Sequence, residues 1–227
     1  METTFVALIA YAVFVLTGGY GAGIVILILH EGVDKLSQAQ FQQFAMQGRW
    51  LGVATIIACP STLAVLWVAT RMAGRDFAEY LALNWPSRNE LFVALAAMAA
   101  LIAVQATIWP FEPSVNSPFV VGGAAGGLFV LLVGGCVAGP IMEEFVFRGF
   151  MFRGWSESFL GPIGAIVLTS ALFGIYHTQY DWLGRLWIFL IGLVLCTFRW
   201  RSNSTWLTVV AHSAVNTVLL FLSGPFV

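Results

Sequence analysis

The sequence predicts an all-α protein, a polytopic transmembrane bundle of about eight helices. Three observations carry this. Hydrophobic residues make up 59% of the 227 positions and charged residues only 9%, against roughly 25% charged in an ordinary soluble domain. Long uncharged runs recur at 5–29, 50–70, 91–111 and 113–142, and again, with histidine the only ionisable group besides tyrosine, at 158–180 and 202–227. A membrane-crossing helix needs about 20 such residues. Tryptophans Trp50, Trp85, Trp109, Trp182, Trp200 and Trp206 fall near run ends, as in an interfacial aromatic belt.

The first run is preceded by Met1-Glu2-Thr3-Thr4, with no Lys or Arg, and is too long for a signal-peptide core, so the first helix is expected to stay in the mature protein. Residues 30–49, which include His30, Gln38, Gln40, Gln42 and Gln43, are expected to form an extramembrane loop, with room for a short helix. The stretch from Phe77 to Leu83 alternates apolar and polar groups like an interfacial amphipathic helix, ended by Trp85-Pro86. The loop around Trp109-Pro110 closes the third span. Residues 1–112 thus form an N-terminal set of helices, with the interfacial segment near 76–86, and residues 113–227 a core that holds the chemistry.

In that core a fourth helix is expected over 118–132, broken at Gly134-Gly135 and Gly139-Pro140. A helix bearing Glu143, Glu144, Arg148, Arg153 and Glu157 follows; with so many charges it cannot face lipid along its whole length. If it only dips into the bilayer, the spans number seven. Gly161-Pro162 turns the chain into the next helix, and two more follow across the turn at 199–203. Arg and Lys are divided between the two sides, so charge does not assign an orientation. Net charge is −1, which points away from nucleic acid as a partner. Cys59, Cys136 and Cys196 sit apart in apolar runs and read as packing residues.

Three polar motifs stand out against this background: Glu143-Glu144-Phe-Val-Phe-Arg148, Phe173-Gly-Ile-Tyr-His177 and His212-Ser-Ala-Val-Asn216. Each contains a pair four residues apart, which one helix face presents together. Ionisable groups at membrane depth are expensive, and their default reading is a functional site. Glu144 and Arg148 can neutralise each other, leaving Glu143 about 100° around the helix to face a cavity as a general base. A hairpin about residue 160 puts Glu143 and His177 at equal heights, each about 20 Å from the turn, and His212 and Asn216 enter from the same side. His212 and Asn216 can donate to a developing oxyanion. Ser170, Ser213 and Thr217 are nearby hydroxyls outside any nucleophile-elbow pattern. Glu143, His177 and His212 would make a workable three-ligand zinc set, but a second carboxylate and an amide suit water activation without metal at least as well. No cofactor is favoured, and zinc is the alternative.

In this order and on successive helices, Glu-Glu-x-x-x-Arg, Phe-x-x-x-His and His-x-x-x-Asn resemble the CAAX-processing and bacteriocin-processing (CPBP, or Abi) family, whose best-known members are the type II CAAX prenyl endopeptidases. The resemblance covers roughly residues 115–222. It implies an eight-helix intramembrane protease of a bacterial or archaeal cell membrane that uses glutamate-activated water. In that scheme Glu143 is the general base and His177 helps polarise the water. His212 and Asn216 stabilise the oxyanion, and Glu144, Arg148 and Phe173 hold the site. The implied partners are the bilayer and a membrane-associated peptide or protein, lipidated or not. Two other classes stay open. One is a non-proteolytic bacteriocin-immunity or scaffold protein, which needs no converging Glu, His, His and Asn. The other is a transporter, which would call for inverted repeats with broken helices in both halves.

Overall fold

The protein is described by a computed structural model over residues 2–29, 37, 48–108 and 125–222. Most of the expected 30–49 loop and the loop around Trp109-Pro110 lie outside these residues. Eight helices are present among the described residues: α1 (Glu2–Leu29), α2 (Gly48–Met72), α3 (Phe77–Tyr80), α4 (Arg88–Ile108), α5 (125–156, in five consecutive segments), α6 (Gly161–Tyr176), α7 (Trp182–Ser202) and α8 (Thr205–Leu222). Six of them are long and apolar enough to cross a membrane, and α6 is a shorter apolar helix. The outer surface carries large apolar side chains such as Phe5, Tyr20, Phe92, Phe129 and Ile163. Exposed apolar groups on every helix suit lipid as the surrounding solvent, and the chain is an integral multi-pass membrane protein.

Without a hydrophobic drive between helices in lipid, close packing of small residues holds such bundles together. Helix α1 lies on α2 through Gly18 and Gly21, which meet Ala54, Ala58 and Ile57, and Thr17 and Ser61 share a hydrogen bond of 2.9 Å across this contact. Helix α2 lies on α5 backbone to backbone: a Cβ on Gly134 would come 2.6 Å from the Cα of Gly52. Neither side of that contact can swing away, as a side chain could. Gly134→Val is therefore expected to cost about 1–3 kcal/mol through overpacking, seen as a lower thermal midpoint in detergent.

Helix α5 does not break at 134–140 as the glycines and Pro140 suggested. It passes through a π-helical stretch, Gly134–Ala138, continues as α-helix over Gly139–Glu144, and enters a second π stretch, Phe145–Met151. The wider turn absorbs the breakers. Gly139 N–H reaches back five residues to the Gly134 carbonyl, and Pro140, which has no N–H to place, comes next. The resulting 30-residue span, Gly127–Ser156, is shielded around Glu144 and Arg148, since these two and Phe145, Phe147, Phe150 and Phe152 are all buried. Such π stretches are frequent at functional sites.

The amphipathic segment is shorter and more deeply engaged than expected. Only Phe77–Tyr80 is helical, capped by the Asp76 carboxylate on Glu79 N–H. The chain then turns through Ala82, whose φ is 51°, and is tied to the α7–α8 turn. Thr205 N–H donates to the Ala82 carbonyl, and the Thr205 hydroxyl donates to that of Leu81. Leu81 is fully buried and occupies the space left by Gly149 on α5. The segment thus clamps α5 to α8 instead of merely lying at the interface.

Candidate active site

The centre of the site is Glu144, fully buried on α5. Its Oε1 accepts from Arg148 Nη1 at 2.9 Å and lies 2.9 Å from His212 Nδ1. Arg148 is also fully buried. Its guanidinium lies 4.2 Å from the Phe173 ring centroid, an attraction that grows when the cation is desolvated. On the far side Gly192 of α7 leaves room for it, because a Cβ there would sit 3.2 Å from Arg148 Nη2. One carboxylate thus offsets one guanidinium and orients one imidazole. With Nδ1 facing a carboxylate, His212 presents Nε2 on its other edge, 3.8 Å from Glu143 Oε2. A carboxylate on one ring nitrogen sets which tautomer faces the reacting side.

Phe173 is the aromatic hub. Its ring meets His177 edge-on at 4.6 Å, His212 at 5.9 Å and 88°, and Phe147 at 5.2 Å. His177 is the residue that ends α6 and no longer has helical backbone angles (φ −77°, ψ 62°). Its Nδ1 lies 2.7 Å from the Phe173 carbonyl, one of the carbonyls left open at a helix end. The four-residue spacing of Phe173 and His177 therefore works through the backbone carbonyl as well as a shared helix face. Glu143 is close enough for its charge to act on His177.

Asn216 reaches the site by a different route. Its Nδ2 donates to the Gly135 carbonyl at 2.9 Å. In the π register that carbonyl would be met by the N–H of Pro140, which does not exist, and the N–H of Gly139 is already spent on Gly134. Asn216 fills this vacancy and so locks α8 to the bulge just before Glu143. One N–H of the amide is committed there.

Glu143, 17% exposed at its side chain, opens on a cavity of about 390 Å³ between α1, α2, α5 and α6, walled by apolar side chains including Met142, Val146, Phe147, Leu172 and Tyr176. That size falls within the roughly 300–1,000 Å³ of small-ligand sites. Two residues missing from the sequence expectations belong here. Tyr176 lines the cavity beside Glu143 and stacks edge-on with Tyr11 of α1 at 5.6 Å. Tyr180, in the loop after α6, has its ring centroid 6.3 Å from that of His177. Burial and the charge of Glu143 push its phenol up to about 12, so it stays a neutral donor. Tyr176, one place before His177 and three after Phe173, could have been found from that spacing; Tyr180 carries no such signal.

The structure thus brings Glu143, Glu144, Arg148, Phe173, His177 and His212 to one place, with Asn216 one helical turn along α8. Among the described residues no group of three or more His, Cys, Asp and Glu is gathered so as to hold a metal ion. Glu143, His177 and His212 are not gathered into such a group.

A helical membrane protein with a buried carboxylate–imidazole centre at the end of an apolar cavity is the class that fold and site define together. Residues 125–218 match the family model described as type II CAAX prenyl endopeptidase Rce1-like, which bears out the resemblance seen in the three motifs. The chain is also similar, with 26% identity over 182 residues, to an uncharacterized 24.3 kDa protein of Escherichia coli, an alignment spanning 78% of this chain and 73% of that one. No solved structure matches.

Proposed function

We propose that the protein is an intramembrane endopeptidase of the CAAX-protease type that hydrolyses a membrane-associated peptide or protein with side-chain-activated water. The observation that carries this is the placement of His212 between two carboxylates. Glu144 takes Nδ1 at 2.9 Å, and Nε2 is turned to Glu143 at 3.8 Å, where that carboxylate borders the cavity. In this reading Glu143 removes a proton from water, and His177 holds the water against it. The hydroxide adds to the scissile carbonyl, and its oxygen gains negative charge. With Nδ1–H given to Glu144, Nε2 carries a hydrogen only in the imidazolium; in that form His212 Nε2–H, with the second N–H of Asn216, stabilises that charge. The proton returns from Glu143 to the leaving amine as the C–N bond breaks. A scaffold or immunity protein would have no use for Glu143 at the cavity wall.

The test is cleavage of an S-prenylated CAAX-type peptide by the purified full chain in detergent. Comparative N-terminal proteomics of host membranes with wild type and Glu143→Gln would search for the native substrate. Asn216→Ala is expected to lower kcat by about 10²–10³, the size of a lost oxyanion donor, with smaller change in KM. His177→Ala and His212→Ala are expected to cost more. Metal analysis of the same preparation, with chelator treatment, addresses zinc: loss of activity on chelation and recovery with zinc would replace side-chain activation by a metal scheme. Wild-type phenotype in all four variants would move the assignment to an immunity or scaffold role.

A further inference from the structure

We infer that Thr62 is a substrate-binding residue, its hydroxyl donating a hydrogen bond to a backbone carbonyl of the peptide held over Glu143. This rests on the peptidase reading of the same cavity. Hydroxyls in the helices of this protein mostly spend their proton on their own helix: Thr17 on Val13, Thr55 on Leu51, Thr70 on Leu66, Thr169 on Ala165 and Ser170 on Ile166. That is the ordinary fate of such groups. Thr62 is 1% exposed, yet its Oγ1 has no hydrogen-bond partner. The carbonyl four residues back, that of Ala58, already accepts from Ser61 at 2.9 Å.

Thr62 lines the same cavity as Glu143. Helices α2 and α5 run in the same direction, since Gly52 meets Gly134 and the Thr55 methyl would lie 3.7 Å from a Cβ on Gly139. Two turns beyond Thr55, Thr62 is therefore level with residues 143–146 across the cavity. A buried hydroxyl without a partner is costly to keep, and at a residue that lines an apolar cavity the acceptor can be supplied by what enters. Glu143 disfavours a second carboxylate there, so the acceptor is neutral. An extended peptide offers a neutral carbonyl at every residue. Such a contact would fix where along the chain the bond is cut without reading side chains.

The experiment uses the full chain in detergent, an S-prenylated CAAX-type tetrapeptide, and analogues in which one amide carbonyl at a time is replaced by methylene. Thr62→Val is expected to raise KM about tenfold, equivalent to about 1.4 kcal/mol, with kcat changed less than about threefold, and Thr62→Ser restores it. One analogue should lose the same factor on wild type and nothing further on Thr62→Val, the signature of a shared interaction. The thermal midpoint of Thr62→Val should be unchanged or higher, whereas a threonine with a structural role would lower it. If Thr62→Val does not fold, Thr62→Ala takes its place. A wild-type KM in the variant, with cleavage intact, would overturn the inference alone. No cleavage of the peptide by wild type, together with no membrane peptide that differs between wild type and Glu143→Gln, would overturn the peptidase reading and the inference with it.

Discussion

Glu143→Gln is expected to lower cleavage by at least the 10²–10⁴-fold that a positioned general base contributes, while yield, membrane insertion and thermal midpoint stay near wild type. The amide keeps the size and shape of the carboxylate but cannot take a proton from water. Its surroundings tolerate the change, because Glu143 is partly exposed to the cavity and the buried charge is balanced without it: Glu144 and Arg148 pair at 2.9 Å with both side chains fully buried. Activity and folding should therefore separate at this position. A Glu143→Gln protein that still cleaves at the wild-type rate would remove Glu143 from the mechanism. One that fails to insert would show that the carboxylate is needed for assembly.

Arg148→Met is expected to have the opposite signature. Removing one partner of a buried ion pair costs about 3–5 kcal/mol, because the other charge is left uncompensated. Here that is Glu144, with no exposure to water and Oε2 already without a partner. The variant should accumulate poorly and melt early. His212 would also lose its fixed carboxylate, so the residual protein should be inactive. The double variant Glu144→Gln/Arg148→Met removes both charges and should recover much of the stability, a coupling that a double-mutant cycle reads directly. It should not recover activity, since a glutamine holds the His212 ring less firmly. Additive stability losses would mean that the two charges are not balanced by each other.

The membrane class, the helix count and the convergence of the polar motifs were legible in the chain because each rests on a local rule. Hydropathy reports spans, and a spacing of four reports a helix face. Glu144 with Arg148 is the clearest case, since partners one turn apart meet whatever else the fold does. His177 was legible as a site residue near a helix end, but its bond to the Phe173 carbonyl was not, because that geometry depends on where α6 stops. The 134–140 stretch was misread as a break. Glycine and proline do weaken an α-helix, but here packing of Gly134 on Gly52 and the Asn216 bond to Gly135 stabilise a π turn in its place. The Phe77–Leu83 segment shows the same limit: its alternation suited an interface, while contacts from Thr205, over a hundred residues away, decided its place.

By itself the sequence determined that this is a multi-pass helical membrane protein, and it named seven residues, Glu143, Glu144, Arg148, Phe173, His177, His212 and Asn216, as its candidate chemistry. Burying charges in lipid is too costly to leave unmarked in composition and spacing. Only the tertiary structure decided how those groups divide their tasks: that Glu144 serves both Arg148 and His212, that Asn216 is half committed to a carbonyl orphaned by Pro140, and that Thr62 shares a cavity with Glu143. Those outcomes depend on which helix faces meet and at what height. Such contacts join residues up to about eighty positions apart, and no pattern within a single helix encodes them.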